Sequence, residues 1–348
     1  MKRLFSLAGG VLLAAAFVSP EASAKTAWVP LPQLRPGPVE LRLAHAVNPR
    51  LPSLDRGELA TMLAEARQVV RQHFHIELKF SEPKKVSVAE LLAGIPARVL
   101  ASRVGKIYDF KNGTGDRWRL IAGLERKLAK WTTTGLGASI AYARPHLLRP
   151  VAEPTPAAFA EALVDTHLQR LGHWYDLRTA TGERVIDASH ANEWIIWDSL
   201  GYSELPYDVI VTNQLVASAE YDDAAINSSL RGGVSAGGTS YNKSGRYLTF
   251  SFLSTFPFSQ HQALPKGMGG TTDRAQAVRL AGKYLAHEIG HMLLLLAHPF
   301  DNPACVMRPE PLFDFVAWAR GLDALRCKIG SSPAMTPGAA KIPLPRRP

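Results

Sequence analysis

The sequence predicts a mixed α/β fold of the α+β kind, on three observations. A strand–helix–strand pattern runs from Val39 to Phe80, and strand character returns at Tyr207–Val216 and Arg246–Leu253. A long amphipathic helix then runs from Thr272 toward Leu296. A largely helical stretch, from about Glu82 to Pro206, separates the two strand-bearing parts and reads as an insertion.

The elements follow in order. Lys2-Arg3, the apolar run Leu4 to Val18 and the small residues Ala22-Ser23-Ala24 read as a signal peptide over residues 1–24. They predict an exported chain, periplasmic or secreted from a bacterium. Residues 25–38 read as a linker. Residues 39–81 form the first part of the predicted catalytic domain. In them Val39-Glu40-Leu41-Arg42-Leu43 alternates as a strand does, and Leu59, Met62, Leu63, Ala66, Val70 and Phe74 recur at helical spacing. Ile76, Leu78 and Phe80 then alternate again. A parallel crossover is the expected connection.

Within the insertion, residues 82–206, Ser87-Val88-Ala89-Glu90 is a capping box, and Pro96 limits the helix it opens. Thr155-Pro156 caps a second helix expected to reach Leu171 and stop at Gly172. The proline-rich run Leu147–Pro156 reads as a connector, and Trp194, Trp197 and Tyr202 as local core. Residues 207–329 form the second part of the domain. There Val209, Ile210 and Val211 make a buried strand, and Asn242-Lys243-Ser244-Gly245 marks a turn before the strand Arg246–Leu253. A closing helix is expected over Leu312–Leu325. Residues 330–348, rich in proline, small and basic residues, read as a disordered tail.

The formal net charge is +10, spread along the chain. That predicts electrostatic association with anionic envelope polymers, whereas no basic-aromatic signature points to nucleic acid. No later segment reads as transmembrane. In an oxidising compartment the two cysteines, Cys305 and Cys327, are expected to form a disulfide. No cysteine precedes Cys305, which excludes latency through a propeptide thiol.

His287-Glu288-Ile289-Gly290-His291 is the motif with chemistry. Histidines four apart on a helix differ by about 40° around the axis and about 6 Å along it, so both imidazoles can reach one ion. The glutamate between them can take a proton from zinc-bound water. Thr272-Asp273 offers this helix an N-cap and a first-turn acid, and Ala277, Val278, Ala281, Leu285, Ile289, Met292 and Leu296 recur as its core stripe. His298 is a third candidate ligand. On a continuous helix it would lie about 10 Å beyond His291, so the chain must turn back before it. Pro299 helps by disfavouring a helical His298.

His287, His291 and His298, followed by Cys305-Val306-Met307, resemble the metzincin zinc peptidases. The Cys-x-Met spelling is closest to the archaemetzincin branch. The resemblance implies a zincin-type fold: a twisted mixed sheet, an active-site helix, a Met-turn and a C-terminal helix. It implies one Zn²⁺ held by His287, His291 and His298, with Glu288 as general base and Met307 in the Met-turn. It also places Gly232–Tyr241 as the edge strand that pairs with an extended peptide or protein substrate. The chain departs from the family pattern at two positions. The family's third histidine stands six residues after the second, where this chain has Ala297, and the family's turn glycine corresponds to Leu294. Asp301 and Glu310 remain alternative third ligands.

The implied function is that of a zinc metallopeptidase, in an endopeptidase manner. Two other readings compete. Gly233-Val234-Ser235-Ala236-Gly237 fits the G-x-S-x-G serine-hydrolase pattern, but Gly238-Thr239-Ser240-Tyr241 and a turn follow, where that motif needs a helix. A zinc-stabilised, non-catalytic envelope-binding protein is the third. The intact Glu288 weighs against it, since a structural site needs no base.

Overall fold

A computed structural model describes residues 27–101, 117–151, 153–185, 194–217, 226–260, 263–265 and 267–344. The expected signal peptide lies outside them. The chain folds around a five-stranded sheet in the order β4-β2-β5-β9-β8. The strands are β2 (Leu43–Val47), β4 (Lys84–Ser87), β5 (Val209–Thr212), β8 (Gly237–Tyr241) and β9 (Thr249–Ser254). Four run parallel, and β8 is antiparallel to β9 at one end. The sheet is therefore mixed, as α+β predicts.

The opening strand read from the sequence splits in two. β1 (Val39–Leu41) pairs in parallel with β3 (Leu78–Phe80), while β2 enters the main sheet. The break falls at Arg42. Its guanidinium grips the fully buried Asp208 carboxylate through Nε and Nη2, at 3.0 and 2.8 Å, and its backbone N–H donates to the same group. That bidentate pair satisfies a charge taken out of water. Between β1–β2 and β3 runs α1 (Arg56–Phe74), opened by a capping box between Asp55 and Glu58. The main sheet also takes β4 from the start of the expected insertion, so that boundary falls later than residue 82.

The rest of the insertion is helical among the described residues. It comprises α2 (Val88–Ala93), α3 (Arg117–Leu128), α4 (Thr133–Ala143), α5 (Pro156–Asp176) and α6 (Trp194–Ser199). The Ser87 capping box and the Thr155 cap both form. Gly172 does not stop α5, which runs on to Asp176 because Trp174 is fully buried and donates its Nε1–H to the Arg231 carbonyl. A glycine costs a helix only about 1 kcal/mol, which such burial outweighs. Trp197 is core, packed on Phe252, and Tyr202 is half-buried beside it; the Trp194 side chain lies outside what is described.

Beyond β5 come β6 (Val216–Ala217), α7 (Ile226–Leu230), β7 (Val234–Ser235), β8 and β9. They are followed by α8 (Phe256–Ser259), α9 (Arg274–Leu294) and α10 (Phe315–Gly321). One face of the sheet packs against α1 and α9, the other against α2 and α6. A third cluster lies among α3, α4, α5 and α7. The closing helix α10 is shorter than Leu312–Leu325. Phe313 takes a left-handed conformation, Asp314 caps the helix, and Leu322 returns to extended backbone.

Residues 330–344 are packed, contrary to the disorder expected of them. Met335 is fully buried, with its sulfur 3.3 Å from Cys305 Sγ, and the backbone beyond it bonds to the end of α9. Composition was misleading because Met335 supplies an apolar anchor, and the small residues after it are held by backbone hydrogen bonds to Leu294, Leu295 and Val29. Cys305 and Cys327 are disulfide-bonded. No helix among the described residues is long and apolar enough to cross a membrane.

His73 on α1 is nearly inaccessible, and burial lowers its pKa to about 4. The folded value lies below the unfolded one, so the unfolded chain takes up the proton first as pH falls. Stability is then intact above about pH 6.5 and declines below it, by about 3 kcal/mol once pH reaches 4. His73→Gln is expected to flatten this acid limb in melting curves of the metal-free protein. The same slope in both proteins would refute it.

Candidate metal centre

α9 is capped by Asp273 rather than by Thr272. The Asp273 carboxylate, expected one position inside the helix, accepts from Ala275 and Gln276 N–H, and the helix buries Ala277, Val278, Ala281, Leu285, Ile289 and Met292 as the periodicity predicts. Its last two turns lie along the sheet. The Ser251 and Thr239 hydroxyls donate to the Glu288 carbonyl at 2.9 and 3.2 Å, and the Thr249 hydroxyl donates to the Met292 carbonyl at 2.9 Å. These bonds set the rotation of the helix, and with it the direction of His287 and His291.

The reversal after α9 occurs at Leu295, in a left-handed conformation at φ 47°, ψ 46°. Leu295 N–H donates to His291 O and Leu296 N–H to Gly290 O, which closes the helix end. His298 follows three residues after this turn. A left-handed leucine costs roughly 1–2 kcal/mol. The burial of Leu295 and Leu296 offsets it.

His298 Nε2 thereby comes to 2.9 Å from His291 Nε2, which is 3.1 Å from His287 Nε2. The three form a group able to hold a metal ion. Ligands about 2.05 Å from a shared tetrahedral ion would stand about 3.3 Å apart, close to these two separations, and all three ligand atoms lie within 4.8 Å of one another. Neither Asp301 nor Glu310 belongs to the group.

Two further hydrogen bonds orient the ligands. His287 Nδ1 lies 2.9 Å from the Val306 carbonyl and His291 Nδ1 2.5 Å from the Leu296 carbonyl. With Nδ1–H donating, each Nε2 presents its lone pair to the shared point. Burial holds all three imidazoles below the ordinary histidine value, His291 at about 4, which favours the neutral, ligating form. Tyr284 stacks on His287 at 4.9 Å with the rings 8° from parallel. Met307 is fully buried beneath the helix, and Gly290 is the residue that admits its sulfur, since a Cβ there would collide with it.

Glu288 is buried, which raises its pKa to about 8; the charge of Arg231 and a hydrogen bond to Thr239 oppose the rise. Its carboxylate lies against Gly237, where an added Cβ would come within 2.6 Å of Oε1. The same Cβ would come within 2.8 Å of the Phe252 carbonyl, so Gly237→Ala is expected to strain the β8–β9 pairing and lower the melting temperature with metal content unchanged. A melting temperature equal to the parent's would show that neither group needs the space.

The cleft above the histidines is walled on one side by α7 and by β8, the last strand of the sheet. Ser254 N–H donates to Ala236 O. By the alternation of an antiparallel ladder, Gly238 and Ser240 also face β9, and the main-chain groups of Thr239 face away from it. Ser235 lies in β7 with its hydroxyl 2.5 Å from the Gly237 carbonyl, to which it donates, and it is followed by a strand. The helix that a nucleophile elbow requires is missing there.

Sequence reasoning passed over three residues. Arg231 is fully buried, 4.6 Å over the Phe313 ring and beside Glu310, with nothing in the local sequence to mark it. Tyr284 sits one helical turn before His287 and could have been found from that spacing. Gly237, a glycine within a strand, carries the usual signal of a close approach.

The described residues define a mixed α/β protein with a three-histidine group able to hold one metal ion. No family model, no curated protein and no solved structure matches the chain.

Proposed function

We propose that this chain is an exported zinc-dependent peptidase of metzincin type, hydrolysing bonds within peptide or protein chains with Glu288 as general base. The observation that carries the reading is the convergence of three Nε2 atoms beside a buried carboxylate, in a cleft bounded by a strand edge. His287, His291 and His298 would hold the ion. When bound, zinc supplies Lewis acidity and acidifies water toward a pKa of about 7.

The protein's own groups account for the remaining steps. The outward edge of β8 offers main-chain groups to an extended peptide, which fixes its direction and register. Glu288 takes the proton of the attacking water and returns it to the leaving amine. Burial favours the protonated form of Glu288, and a cation held by the neighbouring histidines would favour the carboxylate that the first transfer needs. Three ligands, with no fourth protein group beside them among the described residues, favour catalysis over a purely structural site.

The test is cleavage of an unstructured protein substrate, read by mass spectrometry, with and without a strong chelator. Internal cuts that stop on chelation and resume with added zinc are expected. Cleavage indifferent to the chelator, or none by the zinc-loaded chain, would overturn the reading. A non-catalytic envelope-binding role would give the second of those results.

A further inference from the structure

We propose that the C-terminal segment, residues 338–344, is the second wall of the substrate cleft. Ala340 and Ile342 in it restrict the cleft to peptides with a small, uncharged residue beside the histidines. This rests on the peptidase reading and adds a substrate class to it.

The segment is tied down on both sides. Gly338 N–H donates to Leu294 O at 2.9 Å and Ala340 N–H to Leu295 O at 2.7 Å. Those carbonyls belong to the end of α9, where a helix leaves acceptors without internal partners. On the other side Val29 N–H donates to Ile342 O at 3.0 Å, and Leu344 N–H to Ala27 O at 2.9 Å. Met335, seated on the disulfide, anchors the approach to the segment. In extended backbone, residues two apart share a side, and both Ala340 and Ile342 line the same cleft as Gly237, Gly238 and Thr239.

The space left between these walls is about 170 Å³. The cleft is half open to solvent, so size is limited where Ile342 stands at the wall rather than by an enclosing cavity. Its lining carries no lysine or arginine, and Glu288 is its one carboxylate among the described residues. A charged side chain would enter without a partner of opposite sign, apart from the base itself. A bulky one would meet Ile342. The wall selects by size and by lack of charge.

The experiment pairs peptides that differ at one position, alanine against phenylalanine, and compares the parent chain with Ile342→Ala and Ala340→Phe. Melting curves and zinc content confirm that each variant is folded and loaded. Ile342→Ala is expected to move the ratio of kcat/KM toward the phenylalanine peptide by about tenfold or more, the scale of a few methylenes in a pocket. Ala340→Phe is expected to raise KM for the alanine peptide with kcat little changed. Unchanged preference in both variants overturns the wall.

A second measurement does not depend on catalysis. A bulky chelator should strip zinc faster from Ile342→Ala and more slowly from Ala340→Phe than from the parent. If the parent cleaves nothing, the peptidase reading fails, and equal stripping rates in all three proteins then overturn the wall independently.

Discussion

Glu288→Gln is expected to retain one zinc per chain and to lose activity by about a hundred- to ten-thousandfold, the usual contribution of a positioned general base. The amide has nearly the shape of the carboxylate and fits against Gly237, so the helix and its histidines need not move. Only the capacity to accept a proton is removed. Because Glu288 is buried with a raised pKa, exchanging it for a neutral group also spares the fold the cost of an ionised carboxylate in a dry site. The variant should therefore melt no lower than the parent. The deciding comparison is kcat alongside zinc content: normal turnover would remove Glu288 from the mechanism, and loss of zinc would make it a structural residue.

His291→Ala is expected to abolish zinc binding. His291 Nε2 lies 3.1 Å from that of His287 and 2.9 Å from that of His298, so its loss leaves two of the three ligands. It also frees the Leu296 carbonyl that holds the reversal after α9. Zinc measured after dialysis should fall from about one per chain to near none, since three protein ligands are the minimum of a catalytic zinc site. His298→Ala should behave alike and Asp301→Ala should not. Retention of zinc by His298→Ala would reopen the choice of third ligand.

How much was legible beforehand varies with the range of the interaction. The helix α9 and the relation of His287 to His291 are local, and 3.6-residue periodicity is sufficient to read them, although the cap falls at Asp273 and not at Thr272. The strand–helix–strand opening was legible for the same reason, although the split at Arg42 was not. That split depends on Asp208, which is remote in sequence. Gly172 misled because a local stop signal was overruled by the burial of Trp174. The tail misled because composition speaks for a segment in water, whereas Met335 and the backbone after it meet partners far away along the chain.

By itself, then, the sequence determined which groups could bind an ion and accept a proton, because helical geometry places neighbours three and four residues apart on one side. Only the tertiary structure decided that His298 completes the group, through a left-handed turn at Leu295. It alone also set Gly237 against Glu288 and brought the C-terminal segment to the cleft. The physical reason is that these contacts join residues distant along the chain, and their energies exist only once the sheet, α9 and the last extended segment have packed together.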